Sequence, residues 1–294
     1  MQITPAMVKE LRERTGSGMM ECKKALTEAK GDIEAAVEAM RKAGLAKADK
    51  RAGRVAADGR IVIKLDDAHH AAIVEINCET DFVARGADFQ DFAEAVATTI
   101  LKTNPANLDA LAVTPLNPDG ATVEQTRQAL VAKIGENMAV RRFDTLTGEA
   151  SRQFATYLHG TRIGVIVEIS GGNADLGKDI AMHIAASRPV CVAPDQVPAE
   201  LVAKEREIFT AMSAESGKPP AIIAKMVEGR VKKFLDEVAL LGQPFVKDLN
   251  LTVGKLLANH KAQVTRFVRY EVGEGIEKKA VDFAAEVMAQ VRGG

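Results

Sequence analysis

The chain has 294 residues, 47% hydrophobic and 27% charged, a globular balance with length for roughly two to four compact units. Its formal net charge is -1, aromatic residues make up 4% and tryptophan is absent, so the basic surface and stacking rings of a direct nucleic-acid binder are missing. No apolar run is long enough to span a bilayer, residues 1–5 lack a secretory-signal pattern, and Cys22, Cys78 and Cys191 are too scattered for a disulfide framework or metal knuckle, so a cytoplasmic setting without a membrane is expected.

The first segment predicts three short helices. Thr4 before Pro5 reads as an N-cap followed by proline at the first helical position, where its missing N–H costs nothing. Val8 and Leu11 are apolar at helical spacing, and Gly16 ends the run. The second helix starts near Ser17-Gly18 and is expected to place Met19, Cys22, Leu26 and Ala29 on one buried face. Gly31-Asp32 breaks and recaps the chain, after which Ile33, Ala36, Val37 and Met40 line a third helix that stops at Gly44. Three such stripes can bury one another in a minimal bundle, assigned to residues 1–46. The basic, alanine-rich stretch 47–54 reads as a linker or a solvated helix extension, and a linker is drawn at 47–58.

Strand character begins at Arg60. Residues 60–65 and 71–78 predict a hairpin across the polar stretch 66–70, with Val74, Ile76 and Cys78 buried and Glu75 and Asn77 on the opposite face. Phe89, Phe92, Ala93, Val96 and Ile100 then follow helical spacing and supply a cover for that sheet. A loose stretch leads to a helix at about 122–136, and residues 59–145 form a first core subdomain.

After Arg152 a similar unit recurs: a hairpin from 154–158 and 163–169, then a helix bearing Ile180, Ala181, Ile184 and Ala185. Ile73-Val74-Glu75-Ile76 matches Ile166-Val167-Glu168-Ile169, which points to two related sheet-plus-helix subdomains. The first copy carries extra residues between strand and helix, within 78–87, and length beyond what a turn needs marks a loop free to carry function. The second subdomain, 146–275, contains an inserted antiparallel helical hairpin at about 195–237, with helices near 198–213 and 220–235. A helix at 253–260, strand character at 262–272 and a final amphipathic helix with Val281, Ala284, Ala285 and Met288 in a C-terminal module, 276–294, complete an α+β chain.

Motifs for chemistry are scarce. There is no phosphate-binding glycine loop, no Gly-x-Ser-x-Gly and no His-Glu-x-x-His, and none of the five histidines has a cysteine at ligand spacing. No metal site or cofactor is expected, and a binding protein is favoured over an enzyme. His183 reads as a core or boundary histidine. Three surface features stand out. Met20 and Lys23 are neighbours on a helix off the core stripe, either a docking face or solvated surface. Asp81-Phe82 lies in the long loop, where the ring either projects or folds back as a lid. The stripes of the helical hairpin either pack on each other or mark an association site.

Several longer motifs carry a resemblance. Residues 8–16 followed by Gly18-Met19-Met20-Glu21-Cys22-Lys23-Lys24-Ala25-Leu26 closely resemble the start of the bacterial elongation factor Ts family. So do Asn77-Cys78-Glu79-Thr80-Asp81-Phe82-Val83-Ala84, Lys133-Ile134-Gly135-Glu136-Asn137, His159-Gly160 with Arg162-Ile163-Gly164, Gly217-Lys218-Pro219 and Gly242-Gln243-Pro244-Phe245. The resemblance runs through nearly the whole chain in order. It implies a ubiquitin-associated-like bundle that docks on elongation factor Tu, two core subdomains, and a helical hairpin that serves as a dimerisation insert, giving a heterotetramer. It further implies that Thr80, Asp81, Phe82 and Val83 wedge into the GTPase near its magnesium site, and that Met20, Lys23, Ile134, Gly135 and His159 lie at the partner surface. Two rivals are weighed beside it. A metabolic enzyme would need convergent polar groups in a pocket, and a ubiquitin-type scaffold module would leave most of the chain unexplained.

Overall fold

The computed structural model describes residues 3–66, 69–116, 120–149, 151–214 and 218–277. Three helices open the chain: α1 (Pro5–Thr15), α2 (Met19–Glu28) and α3 (Ile33–Arg51). The Thr4 hydroxyl caps α1 by accepting from the Met7 N–H at 3.3 Å, Gly16 ends it with φ 65°, and Asp32 caps α3 through the Ala35 N–H at 3.0 Å. Val8, Leu11, Cys22, Ala25, Leu26 and Ala36 form the bundle core. Met19 does not join them. It is the first residue of α2 and 60% exposed, and the buried stripe begins one turn later at Cys22.

The first sheet follows. Strands β1 (Asp58–Asp66) and β2 (His70–Cys78) pair antiparallel as expected, with Val62 opposite Val74. Helices α4 (Asp81–Ala84), α5 (Ala87–Thr103), α6 (Leu108–Val113) and α7 (Val123–Ile134) precede β3 (Met138–Thr147), an unexpected third strand that pairs antiparallel with β2. Helix α5 lays Phe89, Phe92, Ala93, Val96, Ala97 and Ile100 on the face of Val62, Val74, Ile76 and Cys78. Helix α3 also reaches this unit. Gly44 does not end it, because the glycine lets α3 pass close to α7: a Cβ there would lie 3.1 Å from that of Ala132. That packing offsets glycine's poor helix propensity. The stretch 47–58 therefore continues α3 as far as Arg51, a helix extension rather than a linker there, and packed rather than solvated. Ala48 is buried in the first core, and the Arg51 guanidinium donates to the Val131 carbonyl at 3.3 Å.

The second unit repeats the plan with β4 (Gln153–His159), β5 (Ile163–Ser170) and α8 (Ala174–Ser187). An insertion then contributes α9 (Ala199–Ala214), α10 (Pro220–Val238), a short hairpin of β6 (Pro244–Phe245) and β7 (Asp248–Thr252), and α11 (Val253–Asn259), before β8 (Gln263–Glu271) closes the sheet in the order β4-β5-β8. Leu176, Ile180, Ala181 and Ile184 of α8 cover Val165, Val167 and Ile169. His183, also on α8, is buried: its Nε2 lies 2.9 Å from Gln243 Oε1 and its Nδ1 accepts from the Val246 N–H at 3.3 Å. Helices α9 and α10 form the expected hairpin, tied by an Arg206–Glu228 ion pair, with Ile208, Met212 and Ile222 left exposed.

The two sheets face each other through Ile61, Ile73, Leu146, Phe154, Ile166 and Tyr270. The layers therefore run helix, sheet, sheet, helix. Gly164 permits this approach, since a Cβ there would lie 2.5 Å from Ile61 Cγ2. This contact buries β2 on both faces, so Glu75, expected on the face opposite the core, is 0% exposed. Its carboxylate lies opposite Arg142, whose Nε donates at 2.6 Å, and it also accepts from Arg141, Asn77 and the Gly273 N–H at 2.8 Å. Burial alone would raise the Glu75 pKa, but these donors outweigh it and hold the carboxyl below its ordinary range. The second unit repeats the device. Buried Glu168 lies opposite Arg266, whose Nε donates at 2.9 Å, and each ladder is bulged just after its glutamate. The expected C-terminal helix of 276–294, with Val281, Ala284, Ala285 and Met288, lies outside the described residues apart from 276–277.

Candidate partner-binding surface

Between strand and covering helix the first unit has residues 79–86, whereas the second has only 171–173. The surplus forms α4, a single turn of four residues. So short a helix cannot hold itself, because nucleation fixes several dihedrals for one hydrogen bond. Its support comes from neighbours. Thr80 caps α4, its hydroxyl accepting from the Val83 N–H at 3.4 Å. The same hydroxyl donates to Glu136 Oε1 at 2.7 Å, and the Thr80 N–H donates to Glu136 Oε2 at 3.0 Å. Glu79 Oε1 accepts from the Asn137 N–H at 2.7 Å and from Arg54, and the Asn137 amide donates to the Arg54 carbonyl at 2.8 Å. Beneath the turn, the buried Cys78 thiol donates to the Thr80 carbonyl. Burial pushes its pKa up to about 12, with the charges of Glu136 and Asp58 adding to the effect, so the thiol stays protonated and unreactive.

Phe82 projects from this braced turn with 87% of its surface exposed. It does not fold back as a lid; half-buried Val83 and Ala84 pack on the first core instead. Asp81 stands beside the ring, paired with Arg85 at 2.8 Å. Both partners of that pair are exposed, and such pairs contribute little, so the carboxylate is easily given to another donor.

The remaining residues sort into three places. Ile134 is half-buried against the first core, and Gly135 ends α7 in the left-handed region at φ 95°, which turns the chain so that Glu136 meets Thr80. His159 is exposed at the end of β4, its Nδ1 3.1 Å from the Tyr157 hydroxyl. The turn that follows is tied to the first sheet: Arg162 donates to Asp58 at 2.9 Å, and the Ile61 N–H donates to the Thr161 carbonyl at 2.8 Å. Asp58 is the register partner of Cys78, so His159 and the projecting turn leave the same end of the paired sheets. Met20, 76% exposed, and Lys23 stand on α2 of the bundle, joined by exposed Met19. The bundle meets the core beside them, where Gly16 lies over the Lys133 stem and Lys133 pairs with Asp88 at 2.8 Å.

The bracing residues Glu79, Glu136 and Asn137 and the Asp58–Arg162 link carry no local signal in the sequence: the first three lie within the motifs 77–84 and 133–137, and only the fold shows that they hold the turn.

A family model described as Elongation factor TS matches residues 79–274, a span that begins at the projecting turn and excludes the bundle. Full-length relatives include the bundle as well. The chain is similar to the elongation factor Ts of Thioalkalivibrio sulfidiphilus, 63% identical over 294 residues and 100% of each chain. It is similar to that of Methylococcus capsulatus, 62% identical over 293 residues and 99% of each, and to that of Legionella pneumophila strain Philadelphia 1, 58% identical over 291 residues and 99% of each.

Proposed function

The chain belongs to the elongation factor Ts family, and from that premise we propose that it is a guanine nucleotide exchange factor that binds GDP-loaded elongation factor Tu in the cytoplasm and drives GDP out by disturbing the Mg²⁺ and phosphate site. It is not an enzyme: exchange makes and breaks no covalent bond. The observation that carries the reading is the exposed Phe82 ring, seated beside an acid on a turn that the core holds in shape.

A GTPase holds GDP in part through Mg²⁺ bridging phosphate oxygens to protein ligands. A partner protein need not touch the nucleotide to expel it. Binding better to the form whose metal and phosphate contacts are broken is enough, and the coupling is reciprocal. In this proposal Thr80, Asp81, Phe82 and Val83 form the wedge: Phe82 enters an apolar crevice and Asp81 exchanges Arg85 for donors freed in the partner. A single carboxylate is a poor Mg²⁺ site, so direct ligation by Asp81 is not invoked. Met20 and Lys23 on the ubiquitin-associated-like bundle, and Ile134, Gly135 and His159 along the same edge, anchor the partner while the ring enters. The exposed Ile208, Met212 and Ile222 of the helical hairpin supply the apolar surface for a homodimer, and hence for a heterotetramer with elongation factor Tu.

The test is stopped-flow release of a fluorescent GDP analogue from elongation factor Tu. Addition of this chain should accelerate release in a saturable manner, and excess GDP should weaken its binding. Release at the spontaneous rate, or binding indifferent to GDP, refutes the proposal.

A further inference from the structure

We propose that Glu136 is a positioning residue for nucleotide release: its carboxylate holds the projecting turn in the shape that presents Phe82. The inference rests on the exchange reading above and assigns a role to a residue outside the wedge. Thr80 is the junction. Its hydroxyl has one proton, which goes to Glu136 Oε1 at 2.7 Å, so a lone pair is left to cap α4 at the Val83 N–H. The Thr80 N–H, which no helix would satisfy, goes to the other oxygen at 3.0 Å. One carboxylate thereby satisfies a backbone donor and sets the direction of the cap.

Glu136 is itself held from both sides. Gly135, at φ 95°, turns the chain out of α7 just before it, and a Cβ there would lie 3.2 Å from the Arg51 guanidinium. Just after it, the Asn137 N–H is fixed by Glu79 and the Asn137 amide by the carbonyls of Ala52 and Arg54. Glu79 and Glu136 therefore grip across the gap from two segments of the chain, each accepting from the other's neighbour. On this account Ile134-Gly135 matters because it delivers Glu136 to Thr80. A turn ordered before contact spares the complex the cost of ordering it during insertion, so its loss should slow the insertion step more than it weakens docking.

The test measures GDP release from elongation factor Tu at saturating full-length chain, with the half-saturating concentration read separately. Glu136→Ala should slow maximal release about tenfold, the scale of one charge-assisted hydrogen bond, with a smaller change in half-saturation and faster hydrogen exchange at the Thr80 amide. Thr80→Val should also slow release, although its N–H still reaches Glu136. The double variant should lose less than the sum of the two single losses, because both remove the same hydroxyl–carboxylate bond, and Thr80→Ser should restore the rate lost in Thr80→Val. Phe82→Ala should abolish any further effect of Glu136→Ala. If Glu136→Ala impairs folding, Glu136→Gln and Thr80→Val carry the same comparison. Wild-type release by Glu136→Ala, or additive losses with Thr80→Val, overturns the brace. When those results accompany a slow Phe82→Ala, the exchange reading survives; a fast Phe82→Ala removes the wedge itself.

Discussion

Replacing Phe82 by alanine should separate function from folding. The ring is 87% exposed in the free chain, so truncation removes almost no buried contact, and the stability change should stay within about 0.5 kcal/mol, as for ordinary surface positions. In the complex the same ring would pass from water into an apolar crevice, a transfer that contributes about 1.5–3 kcal/mol. If that burial is reached only when GDP is being displaced, the loss falls on maximal release, roughly a 10- to 150-fold reduction. Loss spread evenly over the docked and displaced states would instead raise the half-saturating concentration and spare the maximal rate. Stopped-flow release over a range of chain concentrations, with urea unfolding as the stability control, distinguishes the two. Phe82→Leu, which keeps most of the apolar area, should recover part of the rate. Unchanged exchange, or loss matched by global destabilisation, refutes the reasoning.

Other predictions concern the docking face and the core. Lys23→Ala should raise the half-saturating concentration by roughly two- to fivefold, the range of an exposed ion pair, with little effect on maximal release; a normal titration would return that helix face to solvent. Glu75→Ala leaves Arg141, Arg142 and the Gly273 N–H without their common acceptor, and urea unfolding should show a loss of about 3–5 kcal/mol. A loss under about 1 kcal/mol would mean that the contacts these arginines already make to Glu271 and Glu274 suffice to hold them. His183 supplies a pH test. Burial lowers its pKa, against the upward pull of its bond to Gln243, and its Nδ1 already accepts from Val246, so the folded state favours the neutral ring. The unfolded chain therefore binds the proton more readily. This contribution is complete above the ordinary histidine value of about 6.5 and is lost as pH falls through it towards the lowered folded value, with a limiting slope of about 1.4 kcal/mol per pH unit. Urea unfolding from pH 7.5 to 5 (chosen to bracket that value) should show the slope in the parent and a shallower one in His183→Gln. Equal slopes would deny the ring this role.

Some of the molecule was readable without its fold. Thr4-Pro5, Gly16 and Asp32 act within a few residues, and their caps and turns appear where the local rules put them. The shared Ile-Val-Glu-Ile string identified two related units, and the structure adds that both glutamates are buried against a cross-strand arginine beside a bulge. That same chemistry hid β3. Arg141 and Arg142 interrupt its alternation, and their purpose appears only when Glu75 lies opposite. Glu75 and Asn77 looked solvent-facing for a related reason: polar residues signal water unless a second sheet covers them.

The sequence by itself determined the N-terminal helices, the first hairpin of each unit with its covering helix, the extra length before α5 and the family to which the motifs belong, because caps, periodicity and motifs act over short spans. Only the tertiary structure decided that Phe82 points outward, that Met19 lies off the core and that α3 continues into the first subdomain. The brace on the turn joins Thr80 to Glu136 across 56 positions, and the Glu75 clasp reaches 198 positions to Gly273. A carboxylate's worth depends on which donors surround it and whether water is excluded. Packing sets both, and no short-range pattern records them.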